Sequence, residues 1–92
     1  MKLIPTKEFT KTVSKITDKI AKKRLDELTT KLEAAKSLSE IPNVTPLKRI
    51  HGFFRISTGD YRLLVKQLKS GEIIILLLDY KRRNEKTYRG LN

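Results

Sequence analysis

Three groups of basic and aromatic residues in the second half of the chain have side chains suited to binding phosphate. Arg62 follows a predicted tight turn, three consecutive cations occupy residues 81–83, and Tyr88 precedes Arg89. The planar guanidinium group of arginine binds phosphate oxygens through two parallel hydrogen bonds. A tyrosine ring beside such a cluster gives a nucleic-acid base a surface on which to stack. Together these residue types predict a phosphate site with a stacking platform.

Each group taken alone is also typical of an ordinary protein surface. A run of cations after a strand is usually a solvated loop, and an arginine in an amphipathic strand usually faces water. A tyrosine late in a chain usually packs with its hydroxyl group in solvent. Phe53 and Phe54 are interpreted as core residues rather than as base-stacking residues. The prediction of a site therefore requires that the three groups meet in space.

The second half of the sequence has the period-two pattern of strands. Three strands are predicted, Phe53–Ser57, Tyr61–Leu68 and Glu72–Tyr80, with turns at Thr58-Gly59-Asp60 and Ser70-Gly71. Residues 47–50 could extend the first strand, with a bulge or bend at His51-Gly52. In the second strand, alternation places Leu63 and Arg62 on opposite faces. The third strand is apolar throughout residues 73–78, which predicts a central strand covered on both faces.

Antiparallel pairing of the last two predicted strands brings Arg62 and the three cations at residues 81–83 to the same end of the sheet. Counting outward from the hairpin places Arg62 opposite Asp79 or Tyr80, beside the cations at 81–83. Arg55, on the preceding strand, could point to the same region. The sequence therefore predicts that guanidinium groups from separate strands converge on one surface.

The first half of the chain predicts two helices. Thr6 is a suitable N-cap, and a first apolar stripe follows it, formed by Phe9, Val13, Ile16 and Ile20. A second stripe is formed by Leu25, Leu28, Leu32, Ala35 and Leu38. Leu25 lies about 160° around the helix from Phe9, so one straight helix cannot bury both stripes against one sheet. A break near residues 21–24 is predicted, although a kinked continuous helix stays open, and residues 1–4 could form a short strand. The fold class is therefore α+β, with an N-terminal helical hairpin packed on an antiparallel β-sheet of three or more strands.

Composition limits the classes of function. The 92 residues include 21 Lys plus Arg, 10 Asp plus Glu, one histidine and no cysteine, and the net charge is +11. Such a charge attracts nucleic acid, anionic membrane surfaces or acidic proteins. The absence of cysteine excludes a disulfide scaffold and a thiolate zinc site, and a single histidine argues against a His-based metal cluster, so no metal or other cofactor is predicted.

The chain is expected to be one cytoplasmic domain spanning residues 1–92. A chain of 92 residues has room for one hydrophobic core. The longest apolar run, from Ile73 to Leu78, is too short to cross a bilayer, so no membrane partner is expected. The first residues also lack the apolar stretch of a signal peptide.

The order of these elements and three sequence segments resemble the RelE/ParE superfamily of bacterial type II toxins, most closely its RelE-like branch. The segments are residues 54–62 (FRISTGDYR), 72–78 (EIIILLL) and 81–88 (KRRNEKTY). The resemblance implies a microbial-RNase-like fold and a ribosome-dependent endonuclease that cuts the mRNA codon in the ribosomal A site. In such enzymes the ribose 2′-hydroxyl attacks its own 3′ phosphate and leaves a 2′,3′-cyclic phosphate.

The resemblance also implies a role for individual residues. Arg62 matches the phosphate-binding arginine after the turn, and Arg82 matches the arginine that stabilises the transition state or protonates the leaving oxygen. Tyr88 matches the tyrosine that stacks on a base or helps to remove the 2′-proton. These three are the expected catalytic residues, and RNA binding is expected of the surrounding cations Arg55, Lys81, Arg83 and Arg89.

The sequence departs from the superfamily pattern at two places. Phe53 stands where some relatives have a second lysine, and Arg83 or Asn84 stands where others have a histidine. Which residue is the general base and which the general acid therefore stays open. Free tyrosine has a pKa near 10 and arginine above about 12, so neither is matched to pH 7. We expect most of the rate to come from electrostatic stabilisation and from substrate orientation by the ribosome, and cleavage of free RNA to be weak.

Two other functions of the same fold stay open. One is a ParE-like inhibitor of gyrase, against which the presence of Arg82 and Tyr88 argues. The other is a non-catalytic RNA- or ribosome-binding protein. The resemblance further implies a cognate antitoxin as partner, expected to be acidic and partly disordered until it binds, in addition to the ribosome and mRNA.

Overall fold

The structure is a computed structural model that describes residues 1–83, in which two helices pack on one face of a five-stranded sheet. The strands are β1 (Lys2–Pro5), β2 (Val44–Pro46), β3 (Phe53–Thr58), β4 (Tyr61–Ser70) and β5 (Glu72–Arg82), and the helices are α1 (Lys7–Ser14) and α2 (Lys19–Ala34), with a 3₁₀ turn at Leu38–Glu40. The predicted α+β class, with a helical hairpin on a mostly antiparallel sheet, is confirmed. Neither helix in this part of the chain is long and apolar enough to span a membrane.

The helical hairpin turns earlier than the sequence predicts. Helix α1 begins as predicted, because the Thr6 hydroxyl accepts the backbone N–H of Phe9 at 3.2 Å. It ends at Ser14, and Asp18 Oδ1 then accepts the backbone N–H groups of Ile20 and Ala21 at 3.0 and 3.1 Å. This N-cap starts α2 at Lys19, so the prediction of a break near residues 21–24 is wrong. Ile20, which was assigned to the apolar stripe, is 64% exposed.

The sheet has the strand order β1-β5-β4-β3-β2, with β1 parallel to β5 and every other pair antiparallel. Strand β5 is therefore central, as predicted, and the short strand suggested for residues 1–4 is β1. The suggested extension of β3 through residues 47–50 is wrong, because those residues form a loop. The separate strand β2 precedes that loop and pairs with β3.

The helices cover only one face of the sheet. The core on that face contains the fully buried residues Leu32, Ile56, Leu63, Val65 and Ile75. We call the other face the open face; its residues in the three central strands are Phe53, Arg55 and Ser57 of β3, Arg62, Leu64, Lys66 and Leu68 of β4, and Ile74, Leu76, Asp79 and Lys81 of β5. No helix within residues 1–83 lies on the open face, and Ile74 and Leu76 are only half-buried. The prediction that β5 is covered on both faces is therefore wrong for the described residues.

A β-bulge in β5 decides which side chains share the open face. Val65 pairs with Leu77, but Leu64 pairs with Asp79, so Leu78 is an extra residue without a partner on β4. A one-residue shift moves every later side chain of a strand to the opposite face. Arg62 consequently pairs with Lys81, and Tyr80 lies on the helix side of the sheet.

Candidate nucleic-acid interface

Arg62 is the centre of a basic cluster on the open face. It lies between Ser57 of β3 and Lys81 of β5, its side chain is half-buried, and its Nε atom is out of contact with solvent. Arg55 lies two positions from Ser57 along β3 and faces the same way, close to Arg62 along the diagonal between strands. We call Arg55, Arg62 and Lys81 the Arg62 cluster.

The carboxylate of Asp79 lies beside Lys81 of this cluster. Asp79 Oδ2 lies 3.4 Å from Lys81 Nζ, and Asp79 Oδ1 accepts the backbone N–H of Tyr80 at 2.9 Å. The carboxylate therefore orients Lys81 but is already engaged on both of its oxygens. The three cations lie on a partly desolvated surface, where attraction to a phosphate is stronger than in bulk water.

The expected convergence of Arg62 and Arg82 on one surface is wrong. Arg82 pairs with Tyr61, on the helix side of the sheet, and its Cζ lies 5.9 Å from the centroid of the Tyr61 ring. A hydrogen bond with the Tyr61 side chain raises the pKa of Arg82. The two arginines lie at the same end of the sheet but on opposite faces. The reason is the bulge at Leu78, because a regular ladder would have placed Arg82 on the open face.

The ring that Arg82 contacts belongs to a pair of stacked tyrosines, Tyr61 and Tyr80, that sequence reasoning missed. The rings of Tyr61 and Tyr80 lie 4.8 Å apart between centroids, at 23° to each other. Tyr80 is only 1% exposed, and its hydroxyl donates to the Ala21 carbonyl oxygen at 2.8 Å. This contact ties β5 to the first turn of α2. The stack cannot be predicted from residue types alone, because the bulge at Leu78 determines on which face of the sheet Tyr80 lies.

Stability at high pH is predicted to depend on Tyr80. Burial, the largest cause, and the neighbouring Tyr61 raise the pKa of Tyr80 from 10.0 to about 12. Because the folded state holds this proton more tightly, its stabilising effect is complete below about pH 10 and is lost as the pH rises through about 12. Compared with Tyr80→Phe, wild type should lose on the order of 2 kcal/mol more of its free energy of unfolding between about pH 9 and 12. Urea unfolding of both proteins across this range tests the prediction, and parallel pH curves would contradict it.

Arg83, another predicted RNA-binding residue, directly follows β5. The backbone N–H of Arg83 donates to the Asp60 carbonyl oxygen at 2.7 Å, which places its exposed side chain at the end of the sheet. Tyr88 and Arg89 lie outside the described residues. The predicted stacking tyrosine is therefore not part of the geometry of residues 1–83.

A second basic surface, on the helix side, was not predicted. The guanidinium group of Arg24 from α2 lies over Gly59 in the β3–β4 turn, where a Cβ atom would collide with it. Gly59 also has a φ of +58°, a conformation that favours glycine. A cleft of about 200 Å³ lies between α2 and this turn, with Arg24, Lys31 and Ser57 in its lining. Arg24 is far in sequence from the other arginines, so the sequence pattern alone does not place it at a basic surface.

The Arg62 cluster has the chemistry of a phosphate clamp. Its guanidinium and ammonium groups can bind phosphate oxygens and stabilise added negative charge during attack on phosphorus. Arginine and lysine side chains are protonated at neutral pH, so the cluster does not supply an evident general base. Among residues 1–83 no group of three His, Asp or Glu side chains could hold a metal ion.

Comparisons with known proteins agree with the fold. The family model described as the ParE toxin of the type II toxin-antitoxin system, parDE, matches residues 3–85. The fold is similar to a chain of the RelB-RelE antitoxin-toxin complex from Methanococcus jannaschii, with a TM-score of 0.72, 19% identity, and coverage of 97% of this chain and 99% of that one. It is also similar to a chain of the toxin-antitoxin complex RelBE2 from Mycobacterium tuberculosis, with a TM-score of 0.55, 23% identity, and coverage of 89% and 96%. No curated protein matches the sequence significantly.

Proposed function

Because this chain belongs to the ParE toxin family of type II toxin-antitoxin systems, within the RelE/ParE superfamily, we propose that it is a toxin that cuts mRNA in the A site of the ribosome. The observation that carries the proposal is the Arg62 cluster. Three cations from three adjacent strands share a face that the helices leave uncovered. A phosphodiester can reach that face, and an extended RNA strand fits a sheet surface better than it fits a deep pocket.

In the proposed reaction the 2′-oxygen of a ribose attacks the phosphorus of its own 3′ phosphate. The bond from phosphorus to the 5′-oxygen of the next nucleotide breaks, leaving a 2′,3′-cyclic phosphate and a 5′-hydroxyl group. Arg62 binds the non-bridging oxygens, and Arg55 and Lys81 oppose the negative charge that accumulates on them. The proton of the 2′-hydroxyl leaves and the 5′-oxygen gains one. Tyr88 is a proposed participant in these two transfers, and Arg82 takes part only after it leaves the Tyr61 ring and reaches the open face.

Dependence on the ribosome follows from the weak acid–base chemistry of the cluster. A side chain that titrates far from pH 7 transfers protons inefficiently, so the rate relies on charge stabilisation and on the orientation of the substrate. A ribosome that holds the codon in one geometry supplies that orientation. The net charge of +11 also favours docking on ribosomal RNA, and this docking should weaken with added salt.

A cognate antitoxin is the second proposed partner. The two solved structures named above are complexes of a toxin with its antitoxin. The open face combines the Arg62 cluster with half-buried apolar side chains such as Ile74 and Leu76. An acidic segment with some apolar residues, which orders when it binds, complements this surface.

The alternative is inhibition of gyrase, and two observations favour it. The matching family model is that of ParE toxins, and the structure separates Arg82 from Arg62. On this view the basic surfaces would bind a protein or DNA and would not cleave RNA.

A paired assay separates the two functions. The purified chain is added to ribosomes translating a defined message, and the RNA is mapped by primer extension. In parallel, the same preparation is added to a supercoiling reaction with gyrase. We expect new 3′ ends within codons only when ribosomes are present, and undisturbed supercoiling. Inhibited supercoiling with an intact message would establish the alternative instead.

A further inference from the structure

Phe53 is an aromatic residue on the open face that the core does not use. Phe54, its neighbour, packs against the buried core, whereas Phe53 is half-buried and is not among the residues that contact the core. It pairs with Lys66 of β4, and Lys66 Nζ lies 5.1 Å from the centroid of the Phe53 ring. The interpretation of Phe53 as a core residue is therefore wrong. The ring is instead partly exposed on the open face and makes a cation–π contact with Lys66.

Cations lie on both sides of this ring along the strand. Arg55 lies two residues further along β3, about 7 Å away and on the same face. In the other direction, β3 is preceded by a loop that contains the exposed side chains of Lys48 and Arg49. The ring therefore lies, in sequence, between the exposed cations of this loop and Arg55 of the Arg62 cluster.

We propose that Phe53 stacks on a base of the RNA strand whose phosphate binds the Arg62 cluster. This inference rests on the proposed function and adds a specific base-binding residue to it. Alternation of cations with an aromatic ring is the arrangement by which proteins bind single-stranded nucleic acid, since the cations follow the backbone and every base has a face that can stack.

The stacked base is not that of the cleaved nucleotide. Ser57, the partner of Arg62, lies four residues beyond Phe53 on β3, about 13 Å along the strand. Phe53 therefore contacts a nucleotide next to the reacting one. It positions the strand and takes no part in proton transfer.

A tryptophan at this position would report the stacking directly. The natural chain contains no tryptophan, so Phe53→Trp introduces a single indole. The probe is a short single-stranded oligoribonucleotide with 2′-O-methyl riboses, which cannot be cleaved through the 2′-oxygen. We expect its addition to the full chain, without ribosomes, to quench the indole emission, and an abasic nucleotide at one position of the probe to abolish most of that quenching.

Affinity measurements then separate stacking from charge. Phe53→Leu should weaken binding of the same oligonucleotide by about tenfold, because a stacked base contributes on the order of 1–3 kcal/mol. Phe53→Tyr should bind as wild type does. The salt dependence of binding should be unchanged in Phe53→Leu, whereas Lys66→Ala should lower its slope by about 0.7. The matched control is Leu68→Ala, an exposed apolar residue on the same face, which should have no effect.

The outcomes distinguish this inference from the proposed function. Equal affinity of Phe53→Leu and wild type, with equal thermal midpoints, would overturn the inference even if ribosome-dependent cleavage is observed. If Phe53→Leu binds the oligonucleotide more weakly but wild type cleaves no mRNA, the inference is supported and the proposed nuclease function is excluded. If Phe53→Leu binds RNA normally but no longer binds the antitoxin, the ring contacts the antitoxin and the inference is wrong.

Discussion

Replacing Arg62 with alanine is expected to lower ribosome-dependent mRNA cleavage by about a hundredfold or more, while Arg82→Ala lowers it by less than about tenfold. Removing one donor that stabilises a charged transition state costs on the order of 10²–10³ in rate. Arg62 shares the open face with Arg55 and Lys81, so its loss removes the centre of the phosphate clamp. Arg82 is bound to Tyr61 on the other face and would act on the reacting phosphate only after leaving that ring.

Primer extension with equal amounts of each variant measures this difference. Arg62→Lys is a matched control, because it keeps the charge but loses the planar fork, and its rate should fall between those of wild type and Arg62→Ala. Thermal midpoints should stay close to that of wild type, since Arg62 lies outside the buried core. Equal losses of cleavage rate in Arg62→Ala and Arg82→Ala would mean that both arginines act at one site. Full activity of Arg62→Ala would exclude the Arg62 cluster as the site that binds the reacting phosphate.

Tyr80→Ala is expected to destabilise the fold by about 3–5 kcal/mol, and Tyr80→Phe by about 1 kcal/mol. Alanine leaves a cavity where a ring 1% exposed packs on Tyr61, and it removes the hydrogen bond to Ala21. Phenylalanine keeps the ring and loses only the hydroxyl. Small domains are stable by about 5–15 kcal/mol in total, so the alanine variant should be largely unfolded in mild denaturant.

Urea unfolding followed by circular dichroism tests both substitutions at neutral pH. Tyr80→Phe should keep the cleavage rate of wild type, which shows that the residue acts through the fold and not through the reaction. A destabilisation below about 1 kcal/mol for Tyr80→Ala would mean that the site collapses around the smaller side chain and that Tyr80 does not anchor β5 to α2.

Much of the fold follows from local sequence patterns. The period-two alternation of β4 correctly separated Leu63 from Arg62, and Ser70-Gly71 correctly marked the hairpin. The apolar run of β5 correctly predicted a central strand. These signals are local, so they can be read without knowledge of the tertiary contacts.

The errors come from features that a local pattern does not carry. The N-cap at Asp18 starts α2, but an aspartate in a lysine-rich segment gives only a weak signal beside a plausible apolar stripe. The bulge at Leu78 lies within a uniformly apolar run, so nothing in residue type marks the extra position. That one residue set the face of Arg82 and Tyr80, and with it the membership of the candidate site. Tyr88, the predicted stacking residue, lies outside the described residues and its role stays a prediction.

The parallel pairing of β1 with β5 delays folding during synthesis. Lys2 pairs with Ile74, so the first strand has no partner until the fifth has been made. The core beneath the helices also needs Ile75 and Tyr80 from that late strand. Contacts between residues so far apart in sequence form slowly, and the chain cannot gain their stabilisation while β5 is still inside the ribosome. The Arg62 cluster, which includes Lys81, is therefore assembled only after the ribosome has translated nearly all of the described region, and the nascent chain lacks the complete cluster before that point.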